Sequence, residues 1–167
     1  MAASVRALVG LGSNVGDRRA SLARAVALLR GAAHVEVTAL SALYETPPWG
    51  YTAQAPFLNA VVAVDTTLGP RQLLVALKSF EARIGRRRTF RWGPRVIDLD
   101  ILTYDDLTLD RHGLSLPHPA IPDRAFVLVP LADIDPSYRA PDGRGLPELL
   151  QALDLGGIRR VDGPSWA

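Results

Sequence analysis

The 167-residue sequence contains no cysteine. That excludes a disulfide framework, a thiolate metal site and a cysteine nucleophile. No apolar run is long enough to cross a bilayer. The opening stretch MAASVRALVG is broken by Arg6 before it can form the apolar core of a signal peptide. A cytoplasmic protein with no membrane partner is expected. Lysine is nearly absent too: of 19 cationic residues only Lys78 is not arginine. The net charge of +2 is too small for a general nucleic-acid binder, so no nucleic-acid partner is expected. There are no repeats, no low-complexity tracts and no linker that would divide the chain, which reads as a single domain over residues 1–167.

What is present is a globular balance of apolar and charged residues with clear periodicity. Ala7 to Leu11 forms a short buried strand that stops at Gly12. Asp17 caps a helix whose Leu22, Ala25, Val26 and Leu29 recur at i, i+3, i+4, i+7, with Gly31 as its stop. His34 to Tyr44 alternates as one strand, and a loop with two prolines and a glycine follows. Phe57 to Thr66 is a second strand, antiparallel to the last. Pro70 opens a helix with Leu73, Leu77, Phe80 and Ile84 on its buried stripe and Gly85 at its end. Val96 to Tyr104 is the next strand. The order βαββαβ predicts an α+β fold of ferredoxin-like type, an antiparallel sheet with helices on one face. From Asp105 onward the chain is rich in proline and predicts short wrapping elements, with a last helix over Leu146 to Leu153.

The chemistry concentrates between Arg86 and Leu102. Asp98 and Asp100 lie two apart on a strand, so both carboxylates point to one face. Aspartate is disfavoured in strands, and two like charges side by side repel. A pair of Mg²⁺ ions would compensate them, because Mg²⁺ binds through one or two carboxylates plus substrate phosphates. A solvated acidic edge strand is the structural alternative. Arg86, Arg88, Arg91 and Arg95 precede the pair, and guanidinium forks suit polyphosphate oxygens. Gly12-Ser13-Asn14-Val15-Gly16 follows a strand but lacks the Gly-Lys-Ser/Thr ending of a P-loop, and reads as a tight turn.

Arg91-Trp92-Gly93-Pro94-Arg95-Val96-Ile97-Asp98-Leu99-Asp100-Ile101-Leu102 resembles, position by position, the signature of the hydroxymethyldihydropterin pyrophosphokinases. Leu11-Gly12-Ser13-Asn14, Tyr44 to Gly50 with Phe57-Leu58-Asn59-Ala60, Leu116-Pro117-His118-Pro119, and Arg124 to Leu128 are similar to further motifs of that family, in family order across residues 6–150.

The resemblance implies a monomeric, Mg²⁺-dependent enzyme of folate biosynthesis. It would transfer pyrophosphate from ATP to 6-hydroxymethyl-7,8-dihydropterin and release AMP. It implies two Mg²⁺ ions on Asp98 and Asp100. Arg86 and Arg95 contact the phosphates during transfer, and the wider ATP site takes in Glu81, Arg88, Ile101, Ser115, His118 and Arg124. It also implies a pterin sandwiched between Phe57 and Phe126, its edge read by Asn59, with Thr46, Pro47 and Pro48 around it and Trp92 closing over it. The turn at Gly12–Gly16 would lie beneath that pocket. Read without the resemblance, each of these phenylalanines is an ordinary core residue. The rival reading is an RNA-binding ferredoxin-like module using the Arg83–Arg95 cluster. Asp98 and Asp100 oppose it by repelling a phosphate backbone, and no aromatic RNA-binding motif is present. The tail beyond Leu155, including Trp166, carries no recognisable signal.

Overall fold

The computed structural model describes residues 2–167. Strand β1 (Val5–Ser13) leads into helix α1 (Arg18–Gly31), and two short strands follow, β2 (Val35–Leu40) and β3 (Leu43–Thr46). Then come β4 (Phe57–Thr66), α2 (Pro70–Ile84) and β5 (Asp98–Tyr104). A hairpin of β6 (Leu109–Arg111) and β7 (Leu114–Leu116), helices α3 (Ala125–Ile134) and α4 (Leu146–Gln151), and strand β8 (Arg159–Asp162) complete the chain. The main sheet runs β5-β1-β4-β3-β8, with β2 also paired to β4, and its described ladders are antiparallel.

Local chemistry accounts for most of these elements. Asp17 caps α1 by accepting a hydrogen bond from the Ala20 amide. The four periodic residues Leu22, Ala25, Val26 and Leu29 are all buried. Gly31 is the last helical residue of α1 rather than its cap, and Ala32 ends the helix in an extended conformation. Helix α2 starts at Pro70 and stops where Gly85 takes a left-handed φ of 113°. Its Leu73, Leu77 and Phe80 pack under the sheet with α1, while Ile84 is only partly buried there.

Two expectations need correction. The strand read from His34 to Tyr44 is broken at Ser41-Ala42, because the Ser41 hydroxyl accepts from the Val61 amide and interrupts the ladder. The helices do not lie on one face alone: α3 and α4 build a second cluster on the opposite face, around Leu8, Val61, Ala63 and Leu102. Pro130 inside α3 disguised that helix in the sequence. Strand β4 is apolar on both faces because it is covered on both.

Trp166 is buried in the main core, with its indole N–H donating to the Ser41 carbonyl at 2.9 Å. Among the described residues no helix is long and apolar enough to cross a membrane.

Candidate active site

Strand β5 carries Asp98 and Asp100 on one face, as the alternation of a strand requires. Directly across from them on β1 sit Gly12 and Gly10. The neighbouring strand therefore puts no side chain beside either carboxylate. A Cβ at Gly12 would lie 2.7 Å from Asn59 Oδ1, so the closeness of that amide also demands glycine. Above this floor opens a cavity of about 370 Å³, whose lining includes both aspartates, Arg86, Arg95, Phe57 and Phe126.

The acidic pair is already met by cations. Arg86 Nη1 donates to Asp98 at 2.9 Å and to both oxygens of Glu81 at 2.6 and 2.7 Å. Arg95 stands 3.5 Å from Asp98, and Lys78 Nζ stands 3.9 Å from Asp100. Glu81, with its side chain only 4% exposed, also accepts from Lys78 Nζ and from the Leu99 amide, at 2.9 Å each. Burial in the cavity floor, reinforced by the charge of Asp98, pushes the Asp100 carboxyl up to about 7.

The other end of the cavity is aromatic and amide-lined. Phe57 and Asn59 lie two apart on β4, and Asn59 Nδ2 donates to Thr46 Oγ1 at 2.7 Å. Phe126, on α3, lines the same cavity. The Arg124 guanidinium lies over Trp49 at 4.8 Å and over Phe126 at 5.6 Å. Its buried Nε has no hydrogen-bond partner among the described residues. His118 accepts from the Ala120 amide at Nδ1, and burial lowers its pKa, helped by Arg124. A neutral ring that accepts at Nδ1 carries its proton on Nε2, available to a ligand.

A carboxylate pair and basic residues at one end of a cavity, with aromatic and amide groups at the other, suit a flat heterocycle beside a polyphosphate. Comparison with known proteins settles the family. The family described as 7,8-dihydro-6-hydroxymethylpterin-pyrophosphokinase (HPPK) matches residues 8–136. A Methylorubrum extorquens protein named 2-amino-4-hydroxy-6-hydroxymethyldihydropteridine pyrophosphokinase is 51% identical over 157 residues, covering 94% of this chain and 99% of the relative. The Pseudomonas aeruginosa protein of the same name is 45% identical over 158 residues, covering 95% and 98%. The chain belongs to the HPPK family.

Solved structures agree on the fold. An HPPK-DHPS described as in complex with substrates superposes with a TM-score of 0.76 at 14% identity, over 95% of this chain and 46% of that one. A Plasmodium falciparum HPPK-DHPS gives a TM-score of 0.73 at 16% identity, over 91% of this chain. The chain thus spans about half the length of these two-part proteins, 46% in both cases. As an HPPK, the chain is an ATP-dependent diphosphotransferase of folate biosynthesis, passing pyrophosphate from ATP to the pterin alcohol. The RNA-binding alternative finds no support.

Of the residues singled out in the sequence, this HPPK brings Thr46, Pro47, Phe57, Asn59, Arg86, Trp92, Arg95, Asp98, Asp100, His118, Arg124 and Phe126 to one cavity. Five others are not on its lining. Glu81 lies behind the wall, anchoring Arg86 and Lys78. Ile101 has its side chain in the main core. Pro48 lines a second cavity behind the loop. Arg88 is exposed. The Ser115 hydroxyl is bonded to Asp110 on the small hairpin.

Sequence reasoning missed Lys78 and Asn14. The first had a signal in being the one lysine, three residues before Glu81 on α2. Asn14 falls in a family motif and in a segment read as a tight turn, without a role of its own, but β1 continues through Gly12 and Ser13. The Asn14 amide and its Oδ1 exchange hydrogen bonds with the Arg95 backbone at 2.9 and 2.8 Å. Its Nδ2 donates to Gln54 Oε1 and the Ala55 carbonyl, and Gln54 in turn donates to the Trp92 carbonyl. One buried side chain thus ties together the loops on either side of the cavity mouth.

The glycine floor leads to a prediction. Gly12→Ala drives a methyl into the Asn59 amide; if, as the family resemblance implies, that amide reads the pterin edge, pterin affinity in a calorimetric titration should fall roughly tenfold, the scale of one misplaced methyl group in a pocket. Affinity for a non-hydrolysable ATP analogue should hold. Equal loss of both ligands would refute the assignment of Asn59 to the pterin end.

Proposed function

We propose that the cavity binds ATP and 6-hydroxymethyl-7,8-dihydropterin side by side, with Asp98 and Asp100 holding two Mg²⁺ ions between them. The observation that carries this reading is the meeting of Asp98, Asp100, Arg86 and Arg95 with Phe57, Asn59 and Phe126 in one cavity. The carboxylates fit the metal: they share one face, no side chain opposes them on β1, and burial, reinforced by repulsion from Asp98, raises Asp100. No cluster of three or more carboxylate, histidine or cysteine ligands exists among the described residues, which suits an ion completed by phosphate oxygens. When bound, the ions supply positive charge to the phosphates and hold the ionised form of both carboxylates.

The protein's own groups then divide the work. Phe57 and Phe126 hold the pterin ring by its faces, and Asn59, fixed by Thr46, reads its edge. Arg124, with its unpaired Nε, and His118, with its Nε2 proton, serve the nucleotide. Arg86 and Arg95 turn from Asp98 toward the phosphates as charge builds there. The pterin hydroxymethyl oxygen attacks the β-phosphorus of ATP in line. A new O–P bond forms, the bond from the β-phosphorus to the α,β-bridging oxygen breaks, AMP leaves with that electron pair, and the hydroxyl proton is released. Trp92 and Trp49, in edge contact at 5.4 Å, stand over the mouth to exclude water.

The nucleotide product tests the reaction. With Mg-ATP and the pterin alcohol, AMP and pterin diphosphate should form in equal amounts, and a pterin lacking the hydroxymethyl group should give neither. Stoichiometric ADP would mean attack at the γ-phosphorus and overturn the reading. The ring assignment has its own test. Phe126→Ala should weaken pterin binding by ~1–3 kcal/mol, the value of stacking a base on an aromatic side chain, with ATP affinity little changed. Unchanged pterin binding would remove Phe126 from the site.

A further inference from the structure

The tail that carried no signal in the sequence runs beside the pterin end of the cavity. Strand β8 pairs antiparallel with β3, placing Asp162 opposite Leu43, Arg160 opposite Tyr44 and Arg159 opposite Glu45. Without β8, β3 would be a four-residue strand paired on one side only, to β4. Yet β3 ends in Thr46, the residue that orients Asn59, and leads straight into Pro47.

The tail grips β3 at both ends. At the start, Trp166 is buried and donates to the carbonyl of Ser41. At the far end, Gly157 has a φ of +79°, and a Cβ there would lie 2.7 Å from Pro47 Cγ. Between them the Glu45 carboxylate accepts from Arg159 at 3.0 Å and from Arg18 at 2.8 Å. Beside this contact a cavity of about 300 Å³ lies between the loop at Pro47–Trp49 and the tail at Gly156 and Ile158. The close approach of Gly157 to Pro47 is a place where the tail bears on the loop.

We infer that the segment from Gly156 to Ala167 is a positioning element for the pterin half of the site, with Gly157 and Trp166 as its two fixing points. It acts through Pro47 and Thr46 and touches no substrate itself. The inference rests on the assignment of this end of the cavity to the pterin.

Gly157→Asn is the decisive variant, because asparagine tolerates a left-handed backbone but still brings a Cβ against Pro47. The pterin dissociation constant should rise about tenfold, the effect of a methyl-sized displacement in a pocket. The constant for a Mg-bound, non-hydrolysable ATP analogue should stay within about twofold. Trp166→Phe keeps an aromatic ring but loses the indole N–H bond to Ser41 and part of the buried volume, and should shift pterin affinity the same way by a smaller factor. Gly163→Ala, where a Cβ meets only the end of the Arg160 side chain at 3.7 Å, should change neither constant. Wild-type pterin binding in Gly157→Asn, or equal loss of pterin and nucleotide binding, would overturn the inference. Phe126→Ala measured alongside separates the two failures. If it loses pterin while Gly157→Asn does not, only the positioning role falls. If it keeps pterin affinity, the pocket assignment itself falls.

Discussion

Asp98→Ala should lower kcat by about three orders of magnitude with saturating Mg-ATP and pterin, the upper scale for removing one group that stabilises transition-state charge. Asp100→Ala should do the same. Neither change should damage the fold, since both side chains are about one-third exposed, at 32% and 34%, and neither packs in a core cluster. Asp100→Asn adds a sign that a merely structural carboxylate would not give. In the metal-free protein the Asp100 carboxyl sits near 7, above its ordinary 3.8. A carboxyl raised on folding stabilises the protein fully below the unfolded value, and that contribution is lost as pH rises through the folded value. The asparagine variant should therefore melt above the wild type at pH 8 and show less advantage at pH 5, while being nearly inactive at both. Near-normal turnover in any of these variants would remove the carboxylates from the chemistry.

Glu81→Ala should cost about 3 kcal/mol of stability, the lower part of the range for breaking a buried ion pair, because Lys78 keeps part of its hydration. For a chain of this length that is roughly a 10 °C fall in melting temperature. The loss comes from three donors at once: Arg86, Lys78 and the Leu99 amide all donate to this one carboxylate, and Arg86 and Lys78 keep only their hydrogen bonds to Asp98 and the Leu99 carbonyl. Turnover should fall as well, since Arg86 is released from its station beside Asp98. Glu81→Gln keeps an acceptor for the Leu99 amide and should lie between alanine and wild type. A melting temperature within a degree or two of wild type for Glu81→Ala would show that the cations find other partners.

The fold was legible where one face of an element is buried and the other is not. The stripe of α2, its proline start and its glycine stop follow from helical period and backbone freedom alone. Helix α3 was not legible, because Pro130 interrupts its pattern and its apolar residues run all round. Nor was the break at Ser41, where one hydroxyl takes the place of a ladder carbonyl. At the site, Asp98 and Asp100 announced themselves because charge is out of place on a strand. Phe57 and Phe126 did not: an aromatic side chain at a cavity and one in a core look the same in a sequence, and the family motif alone marked them. Asn14 and Gln54 were hidden for a different reason. Their role is a set of contacts across 40 residues of chain, and no local pattern encodes that.

Strand β5 is an edge of the main sheet, paired only to β1. An edge of unpaired amides and carbonyls is a template on which another chain can add a strand and begin to aggregate. Here three of the β5 backbone groups are already taken. The Leu99 amide donates to Glu81, the Leu99 carbonyl accepts from Lys78, and the Leu102 carbonyl accepts from the His118 amide. The contacts that aim Lys78, Glu81 and His118 are the same ones that seal the edge. The bonds that hold these side chains at the cavity thus also cover the strand edge, and substitutions at Lys78 or Glu81 should raise the tendency to self-associate along with any loss of turnover.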